Sequence, residues 1–378
     1  MRIVHLIHSE GIYGAETILL YLAREQQAHG HEPFIGSIRD PGTAETAFEA
    51  LARARGLPVM PVRIAPRPTP GVVSTLLGRV RACAPDVLHS HGYKANILLG
   101  PVPRRQRGAM LATLHGWTNM RGFSRMWLYE RLERMALRRL DSVVVVARHM
   151  LKLSAVRHLA ATRLRVIENG IAPLALRLDD LAARRGAPLP EGLVEFTVRH
   201  PTLIAIGRLS PEKGFTLLLE AFARARTQCT AAHQLLIVGE GPQRELLASR
   251  IASLGLAGAV RLAGYVDGAD RLLEHAAGFV MSSLTEGMPL VLLEAMQWRV
   301  PVLAAAVGAI PDLLDEGRCG QLVAANDLAA LAHALQSMLS AGRGAFDQQV
   351  TAAHARVSQR YTAARMADEY LSAYAAIA

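Results

Sequence analysis

Short apolar runs separated by polar, glycine-containing turns recur along this chain. Each run is followed by a stretch with helical periodicity. Residues 2–8 (RIVHLIH) predict a buried strand, residues 9–16 (SEGIYGAE) a glycine-containing loop, and residues 17–30 (TILLYLAREQQAHG) a helix that Gly30 terminates. Strands follow in PFIGSI (33–38), APDVLHSH (84–91), AMLATLHG (109–116), SVVVVA (142–147) and RLRVIENG (163–170), with helical segments between them and a proline-rich turn at 65–71. From Ile171 to about His200 the alternation is lost, which predicts a linker and the entry to a second domain. A new series then begins with TLIAIGR (202–208), HQLLIVGEGP (233–242), VRLAGYV (260–266), GFVMSS (278–283) and VPVLAAA (300–306). Strands alternating with helices predict parallel sheets covered on both faces, so the fold class is α/β with two Rossmann-like domains. In such sheets ligands sit beyond the carboxyl ends of the strands, so polar residues that follow strands are the ones to weigh.

The length of 378 residues agrees with two domains. The apolar runs are too short to span a bilayer, and the start of the chain reads as a first strand, not a signal peptide. Three cysteines, Cys83, Cys229 and Cys319, form neither a disulfide framework nor a metal-binding spacing. A reducing, cytoplasmic location is expected.

Charge changes the picture of the first half. Residues 1–170 hold 24 Lys and Arg against 12 Asp and Glu, while residues 171–378 hold 18 against 20, within a net charge of +10. The surplus fits an anionic partner such as phosphate or a membrane surface, and equally a solvated arginine-rich surface. The stretch 120–142 places Arg121, Arg125, Arg131, Arg134, Arg138 and Arg139 beside Met126, Leu128, Leu132, Met135 and Leu140, with Phe123 and Trp127 near its start. It reads as a core-facing helix with a basic outer face, or as a basic amphipathic helix resting on anionic lipid. A nucleic-acid-binding module is disfavoured by the few aromatics and the absence of a Lys/Arg tract.

Candidate chemistry concentrates in the second half. In TEGMPLVLLEAM (285–296), Glu286 lies in a loop and Pro289 opens a helix. Backbone N–H groups of Gly287, Met288 and Leu290 at that helix end suit a phosphate. Glu294, more than a turn further on, suits a pair of ribose hydroxyls. A loop glutamate followed by an ordinary helix glutamate is the plain alternative. In IGRLSPEKGF (206–215), Arg208 and Lys213 lie between a strand end and a helix, where two cations neutralise a diphosphate leaving group. There Ser210 also makes a simple helix cap. The turns VGEGP (238–242) and LAGYVDG (262–268) end strands in the same way, and the second offers backbone to a base edge. In the first half, Gly11 and Gly14 precede a helix without the dinucleotide-binding spacing, and His91 and His115 each follow a strand.

GRLSPEKG, VGEGPQRELL and EGMPLVLLEAM, in this order and with Glu286 and Glu294 eight positions apart, resemble the retaining family-4 glycosyltransferases. The resemblance implies the GT-B fold, with two facing Rossmann-like domains and an interdomain cleft. It implies an acceptor-binding domain at 1–170, a nucleotide-sugar-binding domain at 171–361, and a last helix, about 362–378, packing back on the first domain. It implies that Arg208 and Lys213 hold the donor diphosphate, Glu294 the ribose and Glu286 the sugar hydroxyls. Gly287, Met288, Pro289 and Leu290 would line the donor site, with Tyr265 and Val266 at the nucleobase. His115 would lie near the transferred sugar and Gly14 near the phosphates. The family commonly has Gly-Gly-Ala-Glu where this chain has Tyr13 before Gly14.

The expected activity is transfer of a sugar from a UDP- or GDP-linked donor to an acceptor hydroxyl with retention, without cofactor or metal. Polysaccharide or glycolipid synthesis at the inner face of the membrane is the expected setting, with a carbohydrate or lipid-linked acceptor and no nucleic acid. A nucleotide-sugar epimerase of the same architecture and a non-catalytic sugar-nucleotide binder are the alternative readings.

Overall fold

The computed structural model describes residues 1–9, 11–65, 69–116, 125–183, 189–229, 231–341 and 343–378. The chain divides into two compact units, one of residues 1–172 with 361–378 and one of residues 173–360.

The first unit carries a seven-stranded parallel sheet. Its strands are β1 (Arg2–His8), β2 (Glu32–Arg39), β3 (Val59–Arg63), β4 (Val87–Ser90), β5 (Ala109–Leu114), β6 (Ser142–Val145) and β7 (Leu164–Val166), in the order β3-β2-β1-β4-β5-β6-β7. The second unit carries a six-stranded sheet of β8 (Thr202–Ile206), β9 (Gln234–Val238), β10 (Val260–Gly264), β11 (Gly278–Met281), β12 (Val302–Ala305) and β13 (Gln321–Val323), in the order β10-β9-β8-β11-β12-β13. All named strand pairs are parallel. In each sheet the order reverses beside the first strand, between β1 and β4 and between β8 and β11. Connections leave in opposite directions there, which opens a crevice at the strand ends.

Two strands, β3 and β13, do not stand out in the apolar pattern. Both are edge strands, only partly buried, and β3 contains Pro61. An edge strand needs no continuous apolar run, because one side and part of each face meet solvent. The segment after Ile171, expected as a linker, is mainly helical, with helices Leu174–Ala183 and Glu191–Arg199. Residues 184–188, residues 66–68 of the predicted 65–71 turn, and Arg121 and Phe123 lie outside the described residues.

Helix Phe215–Arg226 shows why the second sheet is covered. Phe215, Leu218, Leu219 and Phe222 fall at i, i+3, i+4 and i+7 and pack with Leu203, Leu235, Ile237 and Val280 of the sheet. Each such fully buried side chain contributes roughly 1.5–3 kcal/mol.

The last helix, Ala363–Ala375, belongs to the first unit and buries Met366, Ala367, Tyr370, Ala373 and Tyr374. Its entry is tied to the end of the first unit's chain. The Ile171 N–H donates to the Tyr361 carbonyl at 2.9 Å, and the Ala363 N–H to the Ile171 carbonyl at 3.0 Å. Gly170 permits this crossing, because a Cβ there would lie 2.0 Å from the Thr362 carbonyl oxygen.

Candidate active site

In the second unit, two loops at the point where the strand order reverses meet through backbone. The loop after β8 runs through Arg208 and a single 3-10 turn, Pro211–Lys213. The loop after β11 runs through Ser282, Ser283 and Glu286. The Leu284 N–H donates to the Glu212 carbonyl at 2.8 Å, and Ser282 Oγ donates to the Lys213 carbonyl at 3.0 Å. Gly214, at φ +65°, lets them approach, since a Cβ there would meet the Ser282 carbonyl oxygen at 2.2 Å. On the other side Gly308, at φ +58°, presses on the Glu286 carbonyl, and the Ala309 N–H bonds the Gly287 carbonyl at 3.1 Å.

This framework brings Lys213 and Glu286 together. Lys213 Nζ lies 2.6 Å from Glu286 Oε1, and Ser283 Oγ donates to the same oxygen at 2.7 Å. Arg208 is exposed at the start of the loop. Arg208 and Lys213 both act on Glu212, whose carboxyl also accepts from Ser210 Oγ at 2.6 Å. Burial pushes the Glu212 carboxyl up, but the hydrogen bond from Ser210 and the two cations outweigh it and hold the carboxyl below its ordinary value.

Helix Leu290–Gln297 begins one residue later than expected. Pro289 has extended backbone (φ −72°, ψ +117°) and stands before the first helical residue. The first-turn N–H groups are therefore those of residues 290–292, while Gly287 and Met288 belong to the loop. Glu294 sits mid-helix in a second polar cluster. Arg177, from the helix Leu174–Ala183, pairs with Asp270, bonds Gln297 Oε1 at 2.6 Å, and lies 4.0 Å from Glu294 Oε1. Trp298 Nε1 donates to Asp270 at 3.2 Å. Burial pushes the Glu294 carboxyl up to about 7; Arg177 opposes that shift and Asp270 adds to it. Neither Arg177 nor Asp270 lies in a recognisable motif: Arg177 falls in the stretch that reads as linker, and Asp270 in the helical stretch that follows the VRLAGYV strand. Tyr265 is exposed and Val266 half-buried in the loop after β10.

Gly14 and His115 belong to the first unit. Gly14 opens the helix Gly14–Ala28, and a Cβ there would meet nothing within 4 Å. Tyr13, where the family pattern has glycine, takes an ordinary extended backbone and is exposed, with its ring folded over Gly11. Its N–H is held by Glu16 Oε2 at 3.1 Å.

His115 stands at the end of a chain of imidazoles. Its Nε2 lies 3.1 Å from His91 Nδ1, and His91 Nε2 lies 3.0 Å from His5 Nδ1. His5 Nε2 meets Gln26 Oε1 at 2.8 Å. His89 packs against His91 with ring centres 3.9 Å apart and planes tilted by 38°, and bonds the Tyr374 hydroxyl and Thr113 Oγ1, each at 2.7 Å. Thr113 in turn meets the Tyr370 hydroxyl at 2.8 Å. Burial holds His5 and His115 down at about 4, and His89 and His91 well below their ordinary value. At neutral pH all four are uncharged.

The linear sequence offers no cluster of metal ligands, but pairing β1 with β4 brings His5, His89 and His91 together, with ligand nitrogens within 4.8 Å of one another. The bonds above already occupy both nitrogens of all three rings, so a metal would have to displace hydrogen bonds to bind. His5 was overlooked because inside a buried strand it interrupts an apolar run without any motif around it.

Comparison with known proteins bears on the family and the fold. Residues 12–173 match the family model described as glycosyltransferase family 4, and residues 200–341 match the model described as glycosyl transferases group 1. The phosphatidyl-myo-inositol mannosyltransferase of Mycobacterium leprae is 33% identical over 181 residues, covering 47% of each chain. The chain thus spans about half the length of that relative. The 2-deoxystreptamine N-acetyl-D-glucosaminyltransferase of Streptomyces fradiae is 27% identical over 364 residues, covering 86% of this chain and 82% of that one. Among solved structures, Anabaena Alr3699/HepE in complex with UDP and glucose superimposes with a TM-score of 0.80 at 20% identity, covering 100% of both chains. Two Rossmann-like units, each matched over most of its length by a model of the same group, place this chain in the family-4, group 1 glycosyltransferases with the GT-B architecture.

Proposed function

We propose that the protein transfers a sugar from a nucleoside-diphosphate sugar to an acceptor hydroxyl, with retention at the anomeric carbon and without a metal. The meeting of Lys213 with Glu286 where the second sheet's strand order reverses carries this reading. A cation that stabilises a departing diphosphate and a carboxylate that accepts from sugar hydroxyls are needed side by side, and these loops supply both. Arg208 supplies a second, exposed cation in the same loop. The acceptor oxygen bonds to the anomeric carbon on the face from which the diphosphate leaves. The carbon–phosphate-oxygen bond breaks with its electron pair on the phosphate, which also takes the acceptor proton. Glu294 receives the ribose, and backbone at Tyr265 and Val266 meets the base. Gly287 to Leu290 line the donor site. The UDP bound in Anabaena Alr3699/HepE favours a UDP-linked donor.

The acceptor is phosphate-bearing or lipid-linked, and the protein works at an anionic membrane face. Supporting this, Leu128 (49%) and Met135 (57%) of helix Arg125–Leu137 are exposed, together with Arg131, Arg138 and Arg139. No described helix is long and apolar enough to cross a membrane. Thermal unfolding with UDP, GDP and ADP, free and sugar-linked, tests the donor. The cognate nucleotide at a hundredfold excess over its Kd adds about 2.7 kcal/mol of apparent stability. Equal response to all three, or to none, would sink the reading.

A further inference from the structure

We infer that Arg177, shared between Asp270 and Glu294, is a positioning residue for the donor nucleotide: it keeps the Glu294 carboxylate charged without bonding it, and so leaves that carboxylate open to the ribose. The ribose contact rests on the function proposed above; the sharing of Arg177 rests on geometry within the second unit.

Arg177 is buried, so its guanidinium must be paired. Its Nη1 donates to Gln297 Oε1 at 2.6 Å, and its Nη2 pairs with Asp270 Oδ2. The same Asp270 oxygen accepts from Trp298 Nε1 at 3.2 Å. Glu294, Gln297 and Trp298 stand at i, i+3 and i+4, so they share one face at the end of helix Leu290–Gln297. Arg177, from helix Leu174–Ala183, and Asp270, from the 3-10 segment Ala269–His275, meet that face. One cation thus serves two carboxylates. Asp270 has the bond. Glu294, at 4.0 Å, has the charge without the bond. At that distance a cation still favours the ionised acid. The Glu294 side chain keeps 16% of its surface exposed and Arg177 only 5%, so solvent reaches the carboxylate more readily than its cation.

Disturbing this balance in either direction weakens the grip on ribose. If Arg177 bonded Glu294 directly, lone pairs that receive ribose hydroxyls would be taken. Without Arg177, a buried acid beside Asp270 would retain its proton. Arg177 and Asp270 are the charged groups that act on Glu294. The other ionisable groups on the elements packed against its helix are Arg271, Glu274 and His275 of the 3-10 segment, and Asp347, His354, Arg356 and Arg360 of helix Asp347–Arg360. Of these, Arg271 donates to the Gly268 carbonyl and Arg356 to the Leu313 and Asp312 carbonyls.

The test follows the Glu294 carboxyl by carbon NMR of the full-length protein labelled with 13C-glutamate, assigned by the Glu294→Gln variant. UDP affinity is measured alongside by calorimetry from pH 6 to 9. The wild-type carboxyl is expected to titrate at about 7. In Arg177→Met the midpoint should rise by about one pH unit, which lowers UDP affinity about fivefold at pH 7 and leaves it near wild type at pH 9. Arg177→Lys, which keeps the charge, should stay within about half a pH unit of wild type. In Asp270→Asn the guanidinium turns to Glu294, so the midpoint should fall, yet UDP affinity at pH 9 should drop by about threefold to tenfold, the scale of one hydrogen bond. Lost packing alone would lower the melting temperature and leave the midpoints where they are. Unmoved midpoints, or midpoints that move the same way in Arg177→Met and Asp270→Asn, overturn the sharing. Opposite shifts, with UDP affinity independent of pH and unchanged in Glu294→Gln, would remove the ribose contact and leave the sharing standing.

Discussion

Lys213 and Glu286, 73 positions apart, form an ion pair of 2.6 Å in which the carboxylate is nearly buried and also holds Ser283. This pairing orders the cation and the acid against each other. In the proposed mechanism the donor diphosphate competes for Lys213, and the sugar hydroxyls for Glu286. Lys213→Ala and Glu286→Ala should each lower kcat by about 10²–10³-fold, the scale of removing one charge-stabilising group. Single-turnover transfer, with circular dichroism as the folding control, checks this. Activity within a factor of about three in both would remove the pair from the mechanism.

Glu294, held up at about 7, gives nucleotide binding a pH dependence. In the proposed site ribose hydroxyls donate to the ionised carboxylate, so affinity should rise as pH increases from 6 through about 7 and level off beyond. Calorimetric titration of the cognate nucleotide diphosphate measures it. In Glu294→Gln the rise should vanish and affinity at pH 8 fall by about 1.5–3 kcal/mol, the range for a hydrogen bond to a charged group.

The buried histidines make the first unit acid-sensitive. His5 and His115 have their values lowered to about 4, and His89 and His91 are held well below the ordinary value, while the unfolded chain titrates near 6.5. Unfolded chains therefore bind more protons across this interval. The stability contributed by the neutral rings is complete above about pH 6.5 and is lost as pH falls toward 4. Urea unfolding of the full protein at several pH values should show it, and His89→Asn should flatten the slope.

Glu133 works in the opposite sense. It is buried, its carboxyl accepts from Asn96 Nδ2 at 2.8 Å, and burial pushes it up to about 7, with Glu130 adding to the shift. Stability is complete below its ordinary value and declines as pH rises through about 7. Glu133→Gln should gain about 1–3 kcal/mol at pH 8 and little at pH 4.5, read from the same urea titrations.

Membrane attachment through the exposed Leu128–Met135 face can be read by sedimentation with vesicles of anionic or neutral lipid. Arg138→Gln with Arg139→Gln should weaken binding to anionic vesicles by about 2 kcal/mol, at about 1 kcal/mol per charge near the surface, and should leave neutral vesicles unaffected. Equal binding by wild type and variant would refute the basic face as the contact.

Much of this protein can be read without coordinates. Buried parallel strands leave near-continuous apolar runs, and covering helices leave a 3.6-residue period. Both are local consequences of burial, so the two α/β sheets follow from the alternation alone. The motif order around Arg208, Lys213, Glu286 and Glu294 carries the family in the same way. Edge strands β3 and β13 escaped because partial burial imposes no apolar run. The helix Leu174–Ala183 escaped because its segment lacks the strand alternation of its neighbours, and its Arg177, which reaches Asp270 and lies near Glu294, escaped with it.

Tertiary structure alone decided which polar groups meet. His5 joins His91 because β1 pairs with β4, and the Tyr374 hydroxyl reaches His89 because the chain returns at Gly170 and Thr362 to lay its last helix on the first unit. Lys213 meets Glu286 because Gly214 lets their loops touch and Gly308 lets a third loop back the Glu286 carbonyl. Hydrogen bonds and ion pairs act over about 3 Å between residues tens to hundreds of positions apart, and periodicity along a chain carries no record of such distances.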